Sequence, residues 1–147
     1  MMQHVRGCLA HQVRQAPDGS AASSARQGDP SVDGVASQKL PRYRCAACGA
    51  RITAAEYLFA PNGAGPERAF TNPEGVICEI TCFTAAWGLV FSASAESLHT
   101  WFAGYLWRIA SCQSCHIHMG WRFEADSGQE PPWFFGLLSR RIVPGAD

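Results

Sequence analysis

Cys45-Ala46-Ala47-Cys48, answered by Cys112-Gln113-Ser114-Cys115, decides how this chain folds. Two thiols separated by two residues reach one ion because the turn between them folds the chain back. Two such pairs complete a tetrathiolate, the closed tetrahedral coordination that zinc adopts in structural sites. Residues 49–111 separate the pairs, so the ion would tie distant hairpins together rather than stabilise one local finger. The competing reading of a Cys-x-x-Cys is a redox dithiol, placed after a strand at a helix N-terminus. That context is missing, since Gly49 and His116 follow the two pairs. Structural zinc on Cys45, Cys48, Cys112 and Cys115 is therefore the expected cofactor. The other three of the seven cysteines, Cys8, Cys78 and Cys82, have no partner at ligand spacing. Cys78 and Cys82 lie in an apolar run and read as buried, inert thiols.

Composition narrows the class. The length of 147 residues allows one domain with a modest core. Basic and acidic side chains balance at twelve each, with no basic run around the cysteines, which argues against a nucleic-acid partner. No apolar stretch is long enough to span a membrane, and the N-terminus lacks the apolar centre of a signal peptide. An odd number of cysteines and a zinc site fit a reducing, cytoplasmic setting. Residues 1–40 read as a disordered tail. The run Ala16-Pro17-Asp18-Gly19-Ser20-Ala21-Ala22-Ser23-Ser24-Ala25 is small and polar and cannot bury enough surface to offset its ordering entropy. The folded domain is expected over 41–147.

That domain reads as mainly β. Val76-Ile77-Cys78-Glu79-Ile80-Thr81-Cys82-Phe83 is rich in β-branched residues and follows the turn signal Asn72-Pro73-Glu74-Gly75. Tyr105, Trp107 and Ile109 alternate with Leu106, Arg108 and Ala110, and Trp121 and Phe123 with Arg122 and Glu124. Antiparallel sheets follow from such short strands broken by Gly, Pro and Asn, with one brief helix or turn near Ala93–Ser97. Trp101 and Trp107 flank a stretch that could turn as a hairpin around Gly104, and Trp121 lies just beyond the second cysteine pair. Three such rings on neighbouring strands are either core or the walls of an aromatic cage. Periodicity leaves both readings open.

The run His99-Thr100-Trp101-Phe102-Ala103-Gly104-Tyr105-Leu106-Trp107 and the segment Cys112 to Phe123 closely resemble the thalidomide-binding (CULT) domain family. Tyr43-Arg44-Cys45-Ala46-Ala47-Cys48-Gly49, Phe70-Thr71-Asn72-Pro73-Glu74-Gly75 and Phe134-Phe135-Gly136-Leu137 fit it in order, so the resemblance covers about residues 41–143. It implies a β-tent, two antiparallel sheets pinned by one structural zinc. It also implies a cage for cyclic imides and ureides, such as glutarimide, thalidomide-type, hydantoin and uracil-type rings. Trp101, Trp107 and Trp121 would be its walls and Phe123 its base. Backbone groups of the His99-Thr100-Trp101 segment would meet the imide edge, and Asn72 and Pro73 would line the rim. The implied partner is a small molecule, or a cyclic imide at a protein's C-terminus. No ligase adaptor is expected, because the chain resembles the single-domain, bacterial-type members. His116 and His118 read as neighbours of the zinc site rather than ligands.

Two other functions compete. A B-type methionine sulfoxide reductase shares a zinc-pinned β architecture but needs a reactive cysteine, and Cys78 and Cys82 are the candidates. A zinc-ribbon module for protein or nucleic acid would need an exposed aromatic patch or a basic face. No Ser–His–acid set or open metal position is apparent, so binding without catalysis is the expectation.

Overall fold

The computed structural model describes residues 39–145, and the tail expected over 1–40 lies almost entirely outside them. Nine strands form two antiparallel sheets. Three strands, β1 (Arg42–Cys45), β2 (Arg51–Ala54) and β9 (Ile142–Gly145), make the small sheet in the order β2-β1-β9. The large sheet runs β3-β4-β8-β7-β6-β5, built from β3 (Glu67–Thr71), β4 (Ile77–Phe83), β5 (Leu89–Phe91), β6 (Tyr105–Cys112), β7 (His118–Ala125) and β8 (Trp133–Leu138). Helical structure among the described residues is confined to single 3-10 turns at Ala55–Tyr57, Pro61–Gly63 and Ser139–Arg141. The mainly β expectation holds, and the segments read as extended at 76–83, 105–110 and 121–124 fall on β4, β6 and β7.

Alternation along the strands gives the large sheet two apolar faces. On β8, Phe134 and Leu138 join one cluster, while Phe135 and Leu137 join the other. The second cluster adds Cys45, Ile52 and Ile142 from the small sheet to Phe83, Cys112 and Met119 from the large one. It is the layer that joins the two sheets. The first cluster lies on the opposite face and holds Trp101, Phe102, Trp107, Trp121, Phe123 and Phe134. Phe102 meets Phe70, Phe123 and Phe134 edge to face, with centroids 5.4, 4.8 and 5.0 Å apart. Such pairs each contribute about 0.5–1.5 kcal/mol beyond simple burial.

Strict alternation would put Met119 on the same face as Trp121 and Phe123, yet it lies with the sheet-joining cluster. A register break explains this. Ser111 pairs with His118 and Ala110 with Gly120, so Met119 is the extra residue of a bulge. Glycine is required at 120, because a Cβ there would stand 2.1 Å from the Gly136 carbonyl oxygen. At Gly136 a Cβ would meet Phe123 Cε2 at 2.8 Å and Ile80 Cδ1 at 2.9 Å. The missing side chain lets the Phe123 ring lie against the sheet.

Three local expectations are corrected. The segment Ala93–Ser97 forms no helix, because Glu96 instead pairs with Trp107 in an antiparallel bridge. Gly104 does not turn a hairpin between Trp101 and Trp107. Its φ of +86° lets the chain enter β6 only at Tyr105, and Trp101 stays in the preceding loop. Cys78 is disulfide-bonded rather than an inert thiol. Trp87 and Trp133 are half exposed. Trp87 leans on Tyr57, and Trp133 covers the Arg122 guanidinium.

Candidate functional site: a four-cysteine metal centre and an aromatic cluster

Each cysteine pair begins on the last residue of a strand, Cys45 on β1 and Cys112 on β6. The two turns that follow are built alike. Gly49 N–H donates to Cys45 O and His116 N–H to Cys112 O, both at 2.8 Å. Cys45 N–H donates to Ala50 O and Cys112 N–H to Ile117 O, at 2.8 and 2.9 Å. The fifth residue of each turn is left-handed, with φ +80° at Gly49 and +64° at His116. His116 thus occupies a position that glycine fills in the partner turn, and pays a small backbone strain for it.

These turns aim all four sulfurs at one point. The Sγ atoms of Cys45, Cys48, Cys112 and Cys115 all lie within 4.8 Å of one another. Cys45 and Cys115 are 3.7 Å apart, and Cys48 and Cys112 3.6 Å. Sulfurs ~2.3 Å from one tetrahedral ion stand about 3.8 Å from each other, so the set has the size of a tetrathiolate metal site. Cys45 and Cys112 are buried, while Cys48 and Cys115 face solvent. One strand end from each sheet supplies a buried sulfur, so an ion here joins the sheets directly.

His118, three residues beyond Cys115 at the start of β7, is not among the four clustered ligand atoms. Its Nε2–H donates to Gly120 O at 2.9 Å, and its ring meets Trp121 edge to face at 4.9 Å. Burial, together with Arg141 and Arg140 nearby, lowers its pKa from the usual 6.5 to about 4. A base whose folded pKa is depressed is protonated first in the unfolded chain. Its contribution is intact above pH 6.5 and is lost as pH falls from 6.5 toward 4. His118→Gln is therefore expected to flatten the acid limb of stability between those values, by up to about 3 kcal/mol at its lower end. Urea midpoints measured at intervals from pH 7 to pH 4 check this. An unchanged slope in the variant would show that other groups carry it.

The aromatic candidates come together on the large sheet. Trp107 pairs with Phe123 and Ile109 with Trp121 across β6 and β7, which places Trp107 and Trp121 diagonally on one face. Trp101 arrives from the loop. Its ring stacks on Phe70 at 4.8 Å and 8°, and stands at 74° to Trp121 at 4.8 Å. All three tryptophans and Phe123 are buried, Trp107 at 9 % exposure and the others at 1 to 2 %. Trp101 Nε1 is buried without a hydrogen-bond partner, an orphan donor that costs about 1–3 kcal/mol where nothing accepts from it.

The loop carrying His99, Thr100 and Trp101 is tied down at several points. Glu96 and Trp107 exchange backbone hydrogen bonds of 2.9 and 2.8 Å, and Trp107 Nε1 donates to Leu98 O at 2.8 Å. Thr100 N–H donates to Ser97 O, and Thr100 Oγ1 bonds the Phe102 backbone. These ties hold His99 at φ +59°, a left-handed conformation that a non-glycine residue adopts only when its surroundings impose it. Among the described residues, no backbone hydrogen bond engages the N–H or C=O of Trp101. Asn72 is buried and closes the β3–β4 turn, its Oδ1 accepting from Glu74 N–H at 3.0 Å and Val76 N–H at 2.7 Å. Pro73 follows it, exposed. Phe70 at the end of β3 brings this turn toward Trp101.

Sequence reasoning missed the surroundings of this cluster. Leu98 and Glu96 carry no motif, and Ile109 was visible only as one more alternating residue. The core-strand cysteines are closed to solvent. Cys82 is wholly buried, which pushes its thiol up to about 12. No helix of the described residues is long and apolar enough to cross a membrane.

No family model matches the chain. It is similar to curated proteins named protein cereblon. It is 37 % identical to that of Danio rerio over 94 residues, covering 63 % of this chain and 22 % of that protein. The Gallus gallus protein gives 37 % over 94 residues, 63 % of this chain and 21 % of the relative. The Drosophila melanogaster protein gives 32 % over 106 residues, 70 % of this chain and 18 % of the relative. The chain matches about a fifth of the length of these relatives.

Proposed function

Because this chain carries a cereblon-type (CULT) domain, we propose that it captures cyclic imides and ureides, such as glutarimide, thalidomide-type, hydantoin and uracil-type rings. Residues 41–147 are the binding domain, and Trp101, Trp107, Trp121 and Phe123 enclose the ring. The His99-Thr100-Trp101 backbone meets the imide edge, and Asn72 and Pro73 border the entrance. Zinc on Cys45, Cys48, Cys112 and Cys115 has a structural role.

The observation that carries this reading is the clamped loop over the perpendicular Trp101–Trp121 pair. A flat imide offers polarised C–H edges to indole faces and an acceptor–donor–acceptor edge to a backbone. The unengaged N–H and C=O of Trp101 supply one donor and one acceptor in a rigid frame. A ring lacking the imide edge leaves such groups unmet, at about 1–3 kcal/mol each, so the backbone sets selectivity while ring burial sets affinity. The domain releases its ligand unchanged. A thiolate nucleophile would have to come from Cys78 or Cys82, and the first is disulfide-bonded while burial holds the second protonated. That weighs against the sulfoxide reductase reading. The partner is a small molecule or a cyclic imide at a protein's C-terminus.

Titration with glutarimide, hydantoin and uridine, read by intrinsic tryptophan fluorescence, tests the proposal. Saturable quenching or enhancement is expected with at least one of them. N-methylglutarimide should bind at least about tenfold more weakly than its parent, since it loses the donor and sets a methyl group against the backbone. Equal binding of the methylated ring would sink the reading, as would silence from all three ligands.

A further inference from the structure

The large sheet ends in an open strand, beside an arginine that the fold leaves short of an acid. β5 is the last strand in the sheet order, and its Val90 and Phe91 are 42 and 36 % exposed. Hydrogen-bonded residues alternate along an antiparallel ladder. Gln113 N–H donates to Gly88 O at 2.8 Å and Ser92 N–H to Ile109 O at 3.0 Å, so Gly88, Val90 and Ser92 turn their backbones toward β6. Leu89 and Phe91 therefore turn theirs outward, and no other backbone hydrogen bond among the described residues engages them. Their N–H and C=O groups line an unpaired edge, which is a template for one more strand.

The arginine lies against that edge. Phe91 stands opposite Ala110 and Arg122 opposite Arg108, which puts both on the face away from Trp107 and Trp121. Two rings clamp the Arg122 guanidinium. Its Cζ is 5.3 Å from the centroid of Phe91 and 5.3 Å from that of Trp133, itself largely open to solvent. The nearest carboxylate is already engaged, since Glu124 Oε1 accepts from Arg108 Nε at 2.6 Å and lies 3.8 Å from Arg122 Nε. Arg122 makes no hydrogen bond among the described residues, and its Nε is buried without a partner. Two guanidiniums thus share one carboxylate. One positive charge is left over, and the rings hold it in place.

We propose that β5 receives an extended segment of a partner protein, apolar on the side that faces Phe91 and carrying one carboxylate there for Arg122. A strand added at the usual spacing of about 4.8 Å sets every second side chain beside Phe91, within reach of the guanidinium over that ring. A single carboxylate matches the leftover charge and the planar fork of donors. A phosphate brings a second negative charge toward Glu124, which repels it. A second copy of this chain brings another Arg122 to the edge instead of an acid. The surface and the proposed cage lie on opposite faces of the sheet, so this interaction is independent of imide binding.

Two measurements on the full chain test this. Amide hydrogen exchange of the free protein should find Val90 slow and Leu89 and Phe91 fast. Protection of those two would mean that the chain itself covers the edge, and protection that grows with protein concentration that a second copy does. Either result overturns the proposal. Peptides are then selected on the protein from a displayed library of random twelve-residue sequences. Enriched sequences should alternate apolar residues and carry one Asp or Glu among them. Remade with capped ends, such a peptide should protect the Leu89 and Phe91 amides and resist displacement by glutarimide. It should bind about fivefold more weakly once its acid is changed to the amide, and N-methylation of alternate backbone amides should abolish binding. Arg122→Gln should erase the fivefold difference, and raised salt should shrink it. A library that enriches nothing, peptides that leave β5 unprotected, or an acid preference that survives in Arg122→Gln would each refute the assignment.

Discussion

Replacing Cys112 by Ser is expected to remove the metal and with it the cooperative fold of the whole domain. The purified protein should carry one zinc per chain, and the variant none. Cys112 is fully buried at the end of β6, and its partner Cys45 is equally buried at the end of β1. The ion they would share spans the layer in which Ile52 and Ile142 meet Phe83, Met119 and Leu137. Structural zinc contributes on the order of 10–16 kcal/mol in small metal-dependent folds, whereas a whole domain is stable by only about 5–15. Losing the ion therefore exceeds what the remaining contacts can hold. Near-UV circular dichroism should lose its tryptophan signal and thermal unfolding its sharp transition, and a strong chelator should do the same to the unaltered protein. Folded protein without stoichiometric zinc, or a variant that melts like its parent, would overturn this assignment.

The metal centre was legible in the sequence because its chemistry is so restrictive. Four thiolates at Cys-x-x-Cys spacing leave few alternatives, and the structure brings their sulfurs to tetrahedral separations. Strands β6 and β7 were legible from the period-two alternation of their aromatic and aliphatic residues, and β4 from its β-branched content after a turn signal. What failed depended on partners distant in sequence. Ala93–Ser97 has a composition compatible with a helical turn, but the unmet backbone of Trp107 draws Glu96 into extended pairing. Gly104 looked like a hairpin apex because glycine tolerates positive φ. The surrounding rings decide otherwise, since Trp101 and Phe102 fold down onto Phe70, Phe123 and Phe134 before the strand begins. Met119 broke its alternation through a bulge that only the Gly120–Gly136 approach makes possible.

The same division explains the unequal legibility of the aromatic cluster. Trp107, Trp121 and Phe123 share a face by strand parity, so their meeting follows from local pattern. Trp101 joins them only because the loop between Glu96 and Phe102 is pinned to Trp107 through Leu98, a contact with no signature in the chain. A residue that both walls the cluster and anchors the loop is therefore its most sensitive point.

Trp107→Ala is expected to weaken imide binding by about 2 kcal/mol or more, some thirtyfold, as truncation of a buried aromatic anchor does elsewhere. Two losses combine. The indole ring proposed to wall the ligand site is gone, and Leu98 O loses its 2.8 Å donor, which frees the loop that holds His99 and Trp101. Trp107→Phe separates them, because it keeps an aromatic ring at the position paired with Phe123 but supplies no N–H. An intermediate loss is expected there, carried mainly by the loop. Trp121→Ala should match the alanine variant at 107 by a different route, since it removes the ring standing perpendicular to Trp101. Zinc content and thermal midpoint, measured on each variant, separate a lost site from a lost fold, because the tetrathiolate lies on the other face of the sheet from the tryptophans. If Trp107→Ala retains its zinc, melts cooperatively and binds glutarimide as its parent does, the three indoles are core and the ligand lies elsewhere.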